Sequence, residues 1–251
     1  MTTTTKAVIV TGSSSGIGLD IARAFLADGA SVVLNGRDPD KLAGVLAKFS
    51  DGGRGSTADR VAAVPGDIGD AGVRAELVHV AVERFGRVDV LVNNAGVFAP
   101  KPFGDVTEAD LDGFLDGNLK STYFLTQAVV AQMRAQGGGG SIVSIGTVLV
   151  DHAISGFPAS APLMSKAGVH ALTTSLAAEL APEGIRVNTV SPGIVRTLLH
   201  GDGVDAYGGL ALLNRVGEVD EIAAAVLYLA GAEFTTGHTL NVDGGFVTGR
   251  A

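Results

Sequence analysis

The stretch Thr11-Gly12-Ser13-Ser14-Ser15-Gly16-Ile17-Gly18 decides how this chain is expected to fold. It follows a short apolar run at 8–10 and opens a segment with helical periodicity. Gly12 permits a tight turn, Gly16 lets the backbone approach a bound group, and Gly18 permits close packing of the helix on the strand. The helix start presents free N–H groups, which attract a phosphate charge. The pattern therefore predicts a dinucleotide site that includes Gly12, Ser14, Ser15, Gly16, Ile17 and Gly18.

Strands and helices alternate along the rest of the chain. Apolar runs rich in β-branched residues predict seven strands, at 8–10, 32–34, 61–64, 88–92, 141–145, 185–190 and 239–242. Amphipathic patterns predict helices near 16–28, 39–48, 70–85, 107–136, 161–181 and 218–230. Near-continuous apolar strands are typical of parallel sheets that are covered on both faces. We therefore expect one α/β domain over residues 1–251, a Rossmann-type doubly wound parallel sheet of about seven strands with helices on both faces.

Three irregular stretches interrupt this alternation. The glycine-rich segments 50–56 and 137–140 are predicted to be surface loops. The segment from about 192 to 217 is the longest of the three, and a loop of that length in a compact domain is usually functional. We therefore expect it to act as a lid.

Composition excludes several classes of function. The chain has a net charge of −8 and contains no cysteine, which excludes disulfides, thiolate metal sites and a cysteine nucleophile. Acidic charge with scattered basic residues argues against a nucleic-acid partner. No apolar run reaches the roughly 18–20 residues of a membrane span, and the N-terminus lacks a signal-peptide pattern. We expect a cytoplasmic protein that acts on a small molecule, without a metal or a membrane partner.

Four further motifs follow the glycine-rich turn in order. Asn93-Asn94-Ala95-Gly96 follows the fourth strand, and Asn118 lies on the next long helix. Ser191-Pro192-Gly193 follows the sixth strand, and Asn241-Val242-Asp243-Gly244-Gly245 lies near the C-terminus. Together with the turn at 11–18, these motifs resemble the classical short-chain dehydrogenase/reductase family over nearly the whole chain. The resemblance implies hydride transfer with a nicotinamide cofactor.

The resemblance also implies how the cofactor lies. Asp67 and Ile68 would border the adenine, and Asn94, Ala95 and Gly96 would line the adenosine side. Lys166 would hold the nicotinamide ribose. The nicotinamide end would meet Pro192, Gly193, Ile194 and Thr197.

The segment Leu34-Asn35-Gly36-Arg37-Asp38 bears on the choice between NAD and NADP. In such folds an acid at the strand end binds the ribose 2′-hydroxyl, whereas an arginine accommodates a 2′-phosphate. No acid ends the strand here, and Arg37 follows it. An exposed surface arginine is the alternative interpretation, and the adjacent Asp38 could repel a phosphate. We expect a preference for NADP(H) over NAD(H).

The catalytic positions match the family only in part. The family carries a Tyr-x-x-x-Lys pair, in which the tyrosine transfers the proton and the lysine lowers its pKa. Lys166 and Asn118 match their family counterparts, and Thr147 takes the place of the family serine. The tyrosine position holds Pro162, which has no proton to give. Asn118 would hold a water that links the lysine to solvent.

Four interpretations of this gap remain open. Another group supplies the proton, with His152 as the best chemical candidate and Thr147, Ser160 or a water on Lys166 and Asn118 as others. Alternatively the substrate arrives already protonated, as an iminium, or is an activated alkene. The fourth interpretation is an NADP(H)-binding sensor or assembly protein without redox activity. We favour an oxidoreductase acting on a small, largely apolar carbonyl or imine compound, although His152 could equally be a solvated loop residue.

Apolar residues are expected to border the substrate. They are Phe98, 148–150, Phe157, Leu198, Leu199, Tyr207 and Leu210, with His152 and His200 as polar contacts. The helices at 107–136 and 161–181 are apolar on several faces, which indicates packing beyond their own sheet. In the resembled family these helices pair across a dimer, and the C-terminal strand region completes a tetramer. We expect a homotetramer, with a dimer as the alternative.

Overall fold

A computed structural model describes residues 5–50, 57–198, 201 and 203–249. Seven strands form one sheet: β1 (Ala7–Val10), β2 (Ser31–Gly36), β3 (Val61–Pro65), β4 (Val90–Asn93), β5 (Gly140–Ile145), β6 (Ile185–Pro192) and β7 (Thr239–Val242). Their order across the sheet is β3-β2-β1-β4-β5-β6-β7. Every neighbouring pair is parallel. The predicted fold class is therefore confirmed.

In the described part of the chain, seven α-helices accompany these strands. They are α1 (Gly16–Ala27), α2 (Pro39–Ser50), α3 (Ala71–Phe85), α4 (Glu108–Phe114), α5 (Ser121–Gln136), α6 (Ser160–Leu180) and α7 (Val219–Gly231). Within the described residues, no helix is both long enough and apolar enough to cross a membrane.

The two faces of the sheet bury separate sets of side chains. Successive residues of a strand point to opposite faces. Val8 and Val10 of β1 pack with buried residues of α1, α2 and α7, whereas Ile9 packs with residues of α3, α5 and α6. Each large aliphatic side chain contributes about 1.5–3 kcal/mol by leaving water. Helices thus cover both faces, which explains why the strands are apolar throughout.

The predicted helix at 107–136 is divided into three segments. Between α4 and α5 the backbone widens into a π-helical turn at Leu115–Lys120. Such turns are rare and occur frequently at functional sites. This one carries Asn118, whose carbonyl accepts a hydrogen bond of 2.8 Å from Thr122 Oγ1. No break in the helical periodicity of the sequence predicts the turn.

The irregular stretches are more ordered than expected. In the segment 192–217, a short bridge pairs Val195 with Gly217, and a 3-10 helix covers Val204–Leu210. The segment at 137–140 is a loop only up to its last residue, because Gly140 already begins β5. Of the segment 50–56, Ser50 ends α2, and the remaining residues lie outside the described part of the chain.

Candidate nucleotide and substrate site

Two adjoining cavities lie at the carboxyl ends of the strands. Because β1 lies between β2 and β4, the connections after these strands diverge and open a crevice there. The first cavity has a volume of about 240 Å³, and its walls include Gly12, Ser14, Ser15, Arg37, Asp67 and Ile68. The second has a volume of about 450 Å³, and its walls include Phe98, Thr147, Val148, Lys166, Ile194 and Phe246. Arg37, Asn94, Gly96 and Val97 line both.

Most of the predicted cofactor residues line one of these cavities. The first also includes Ala95, and the second includes Ile17, Pro192 and Gly193. Gly16, Gly18 and Thr197 lie beside the cavities rather than in their walls. A Cβ atom on Gly16 would lie 3.8 Å from Thr197 Cγ2, so the predicted nicotinamide end approaches the glycine-rich turn.

Asn94 holds the glycine-rich turn in place. Its Nδ2 donates to the carbonyls of Thr11 at 2.8 Å and of Gly12 at 3.1 Å. Gly12 has a φ of 62°, in the left-handed region that favours glycine. A Cβ atom on Gly18 would overlap both Asn94 Nδ2 and the Gly12 carbonyl. The glycines are therefore required by close backbone packing as well as by turn geometry.

Arg37 stands at the entrance to the first cavity. It is exposed, and no hydrogen bond or ion pair joins its guanidinium to the described residues. The Asp38 carboxylate accepts hydrogen bonds of 3.0 Å from the N–H groups of Asp40 and Lys41. Its charge is therefore stabilised at the start of α2. The guanidinium remains available for an anionic group.

Lys166 enters the second cavity from α6. Its Nζ donates a hydrogen bond of 2.7 Å to the Ile145 carbonyl at the end of β5. A Cβ atom on Gly96 would lie 3.3 Å from this Nζ, so the absence of a side chain there keeps the ammonium accessible. Burial lowers the pKa of Lys166 to about 8. No carboxylate within the described residues forms an ion pair with it.

The side chain of Asn118 links the loop after β4 to α6 through hydrogen bonds. Its Oδ1 accepts from the Val97 N–H at 2.7 Å, and its Nδ2 donates to the Val97 carbonyl at 3.0 Å. The same Nδ2 donates to Ser165 Oγ at 2.9 Å. Both amide protons are therefore used within the protein, and the side chain orients the wall beside Lys166.

Thr147 lies in the wall of the second cavity, as does Lys166. Its Oγ1 accepts a hydrogen bond of 3.3 Å from the Leu149 N–H, at the start of a 3-10 helix over Val148–Val150. The hydroxyl proton is not used in this bond. Thr147 can therefore donate a hydrogen bond to a group bound in the cavity.

No tyrosine reaches either cavity. Pro162 lies four residues before Lys166 in the first turn of α6, where proline leaves no helical hydrogen bond unmade. It is buried and lines neither cavity. The three tyrosines of the chain, Tyr123, Tyr207 and Tyr228, are exposed and also lie outside the cavity walls. The described walls of the two cavities therefore contain no phenol.

Comparison with known proteins fits this arrangement. A family model described as Enoyl-(Acyl carrier protein) reductase matches residues 12–247. L-rhamnose 1-dehydrogenase (NAD(P)(+)) of a Sphingomonas species is 35% identical over 249 residues, covering 96% of this chain and 95% of that protein. The 3-oxoacyl-(acyl-carrier-protein) reductase FabG of Thermotoga maritima is 34% identical over 249 residues, covering 96% and 98%.

The same family appears among solved structures. A short-chain type dehydrogenase/reductase from Mycobacterium marinum superimposes with a TM-score of 0.88 at 29% identity, covering 96% of this chain and 95% of that one. The chain belongs to the short-chain dehydrogenase/reductase family. It is therefore an oxidoreductase of this family, in which relatives use NAD(P) cofactors.

His152 is the predicted substitute acid of this short-chain dehydrogenase/reductase. It does not line the second cavity. Its ring packs edge-on against Phe246, with the ring centres 5.3 Å apart, and Phe246 forms the wall. Phe157 similarly stacks on Phe98, with ring centres 6.1 Å apart. Neither His152 nor Phe157 is part of the wall of the second cavity; each packs on an aromatic residue that is.

The predicted lid contributes few residues to the cavity walls. Leu198 and Tyr207 are exposed, and neither they nor Leu210 line the second cavity. Leu199 and His200 lie outside the described residues. Of the segment 148–150, Val148 and Leu149 line the cavity as expected.

His170 belongs to no motif, and its position emerges only from the structure. It lies one helical turn after Lys166, and its Nε2 is 3.2 Å from Ser191 Oγ. Burial lowers the pKa of His170, whereas Asp151 raises it and Lys166 lowers it further. The signal available in the sequence is the i, i+4 spacing from Lys166, which places both on one helix face.

Proposed function

We propose that the chain is an NADP(H)-dependent oxidoreductase that transfers a hydride to or from a small, largely apolar carbonyl or imine compound. The observation that carries this proposal is the continuity of the two cavities, which share Asn94 and Gly96. An extended dinucleotide that enters the first cavity would bring its far end beside Lys166 and Thr147. The whole chain, 1–251, would act as one nucleotide-binding unit.

The cofactor residues fit such a ligand. The closely packed glycines of the turn leave room for a pyrophosphate at the start of α1. Asp67 and Ile68 would border the adenine, and Lys166 would hold the nicotinamide ribose. When bound, the nicotinamide supplies or accepts the hydride. Thr147 would orient the substrate oxygen or nitrogen through its free hydroxyl proton.

Arg37 supports the preference for NADP(H). Its guanidinium is free of protein partners among the described residues, and it lines the first cavity. A 2′-phosphate there would form the charge-assisted hydrogen bonds that arginine favours. Asp38 would not oppose this binding strongly, because its carboxylate already accepts two N–H groups of α2.

The Arg37→Ala variant tests this preference. We expect the Kd for NADPH to rise about tenfold or more, because a charged hydrogen bond contributes about 1.5–3 kcal/mol. The Kd for NADH should change by less than about threefold. Arg84→Ala, in α3 and outside both cavities, is the matched control. Equal affinity of the unaltered protein for NADPH and NADH would contradict the proposal.

The second cavity favours an apolar substrate. Its walls include Val97, Phe98, Val148, Leu149 and Phe246. The ionisable side chains among the described wall residues are Arg37 and Lys166, and Arg37 stands on the nucleotide side. A polyanionic substrate would find no second cation in these walls, whereas a ketone or imine requires only one or two donors.

A second candidate function is a sensor or assembly protein that binds NADP(H) without turning it over. Pro162 favours it, because the family tyrosine would stand at this position. The retained Lys166 and Thr147 favour turnover.

The rate of NADPH oxidation with matched cyclic ketones and cyclic imines separates these functions. Turnover that Lys166→Ala abolishes is the expected result. Turnover of imines alone would indicate a site that transfers only a hydride, and turnover of ketones would indicate a working proton donor. If neither class reacts although NADPH binds tightly, the sensor function would replace the first proposal.

A further inference from the structure

We propose that Lys166 itself is the acid that protonates a carbonyl substrate, in place of the absent phenol. This inference rests on the proposed function, and it extends that function by assigning the proton donor. The observation behind it is that the lysine ammonium reaches the second cavity directly, without an intervening side chain.

The other candidate side chains are excluded by position or by chemistry, and Ser160 does not line the second cavity. Pro162 offers no proton, and His152 lies behind Phe246. Arg37 does not release a proton near neutral pH. Thr147 is an aliphatic alcohol, which can hold a substrate oxygen by a hydrogen bond but is too weak an acid to protonate it. Among the described residues that line the second cavity, this leaves Lys166.

The ammonium is held so that it can donate. One N–H is fixed on the Ile145 carbonyl at 2.7 Å, and an ammonium has three N–H groups. Two therefore remain for bound groups. Gly96 opposes them without a side chain, and a Cβ atom there would approach Nζ to 3.3 Å. This opening lets a ligand contact the ammonium.

The surroundings also make the proton labile. The π-helical turn presents the neutral Asn118, the end of β5 presents the Ile145 carbonyl, and the loop after β4 presents Gly96. On α6 itself His170 follows one turn later, with Asp151 acting on His170. No carboxylate of the described residues pairs with the lysine, and burial lowers its pKa to about 8.

The proposed step balances in atoms and charge. The carbonyl carbon would gain a hydride, with its electron pair, from bound NADPH, which would be oxidised to NADP⁺. The π electrons of the C=O bond move to the oxygen, an N–H bond of Lys166 breaks, and an O–H bond forms. Lys166 is left as a neutral amine and regains its proton from water. An iminium substrate would need the hydride alone.

Direct titration of the lysine tests the premise without turnover. Protein labelled with ¹³C at the lysine ε-carbons contains six lysines, and the Lys166→Arg spectrum identifies the resonance of interest. We expect that resonance to titrate near pH 8, about 2 units below the exposed lysines. If it titrates with the exposed lysines, the proposal is overturned.

The pH dependence of ketone reduction tests the role itself. We expect kcat to be level below about pH 7 and to fall about tenfold per pH unit above 8. Lys166→Arg keeps the positive charge but cannot release the proton. It should lower kcat about a hundredfold or more and remove the decline above pH 8.

Three outcomes would overturn the assignment in distinguishable ways. If Lys166→Arg keeps the rate and the pH profile, the acid is another group while the proposed function stands. If His152→Ala or His200→Ala instead removes the decline above pH 8, that histidine is the acid. If the unaltered protein binds NADPH but reduces no carbonyl compound, the proposed carbonyl reduction fails together with this inference.

Discussion

Lys166 is an ammonium group in a partly buried position, and this affects folding as well as chemistry. Its pKa falls from 10.5 to about 8 because burial disfavours the charged form. The unfolded chain therefore holds this proton more tightly than the folded chain does. Between pH 8 and 10.5 the unfolded state binds more protons, so the free energy of unfolding rises with pH in that window. Below pH 8 the lysine is charged in both states, so the whole free-energy cost of burying the charge lowers the stability of the folded protein.

The Lys166→Met variant should therefore be more stable than the unaltered protein at pH 7. We expect a gain of about 1–3 kcal/mol, because each pKa unit corresponds to about 1.4 kcal/mol and the side chain keeps part of its packing. The gain should shrink towards zero as the pH approaches 10.5. Urea unfolding of the cofactor-free proteins at several pH values measures it, with the exposed Lys48→Met as control. A difference that does not vary with pH would contradict this account.

At the scale of elements, the chain just after β5 lies close to α6 at Gly146. A Cβ atom there would overlap His170 Nε2 and would lie 2.8 Å from both Ser191 Oγ and Thr189 Cγ2. Well-packed interiors tolerate such insertions poorly. The close approach holds the end of β5 against the helix that carries Lys166.

Gly146→Ala should lower the free energy of unfolding by about 1–3 kcal/mol. In a His170→Ala background the loss should be smaller by about 1 kcal/mol, because one of the overlapping groups is absent. Gly44→Ala in α2 meets open space and should be neutral or stabilising by about 0.5–1 kcal/mol. Chemical denaturation measures all four variants. Equal losses in both backgrounds would show that His170 does not contact this position.

The elements that the sequence predicts well are those defined by local patterns. The seven strands are continuous apolar runs. The glycine-rich turn is predictable because its glycines meet local backbone requirements and because the helix start that follows can bind a phosphate. The π-helical turn is different, since Asn118 is held by Val97 and by Ser165, which are distant in sequence. Tertiary contacts decide its geometry, and periodicity cannot show them.

In the candidate site too, the residues that belong to local motifs were predictable from the sequence, whereas the positions set by tertiary contacts were not. Lys166 and Thr147 lie together in the second cavity, because the carboxyl end of β5 and the start of α6 meet there. His152 is attractive by its chemistry, but aromatic packing places it behind Phe246. His170 comes close to the site through contacts with Gly146 and β6. No local sequence pattern predicts these contacts.

At the scale of the whole molecule, two of the exposed apolar surfaces in the described part of the chain lie on or next to helices. On α5 and α6, Tyr123, Phe124 and Met164 are each nearly half exposed. On and after α7, Tyr228 and Phe234 are exposed more fully. Apolar patches of this kind commonly mark interfaces between subunits. We propose a homotetramer in which each surface forms one interface, with a dimer through one surface as the alternative.

Sedimentation equilibrium measures this assembly. We expect a mass of four chains of 25.3 kDa each. Tyr123→Glu and Phe234→Glu should each yield dimers, because a charge at either surface would remove one interface and leave the other. A monomer in the unaltered protein at micromolar concentration would contradict both the tetramer and the dimer.

The most direct test of the central claim is deuterium transfer from NADPH labelled at C4 of the nicotinamide. The protein is incubated with separately labelled forms of each C4 face and with the matched cyclic ketones and imines, and the products are analysed by mass spectrometry. We expect one deuterium on the carbon of the former double bond, from one face only, and none with Lys166→Ala. Tight NADPH binding without transfer to any compound would contradict hydride transfer as the function of this site.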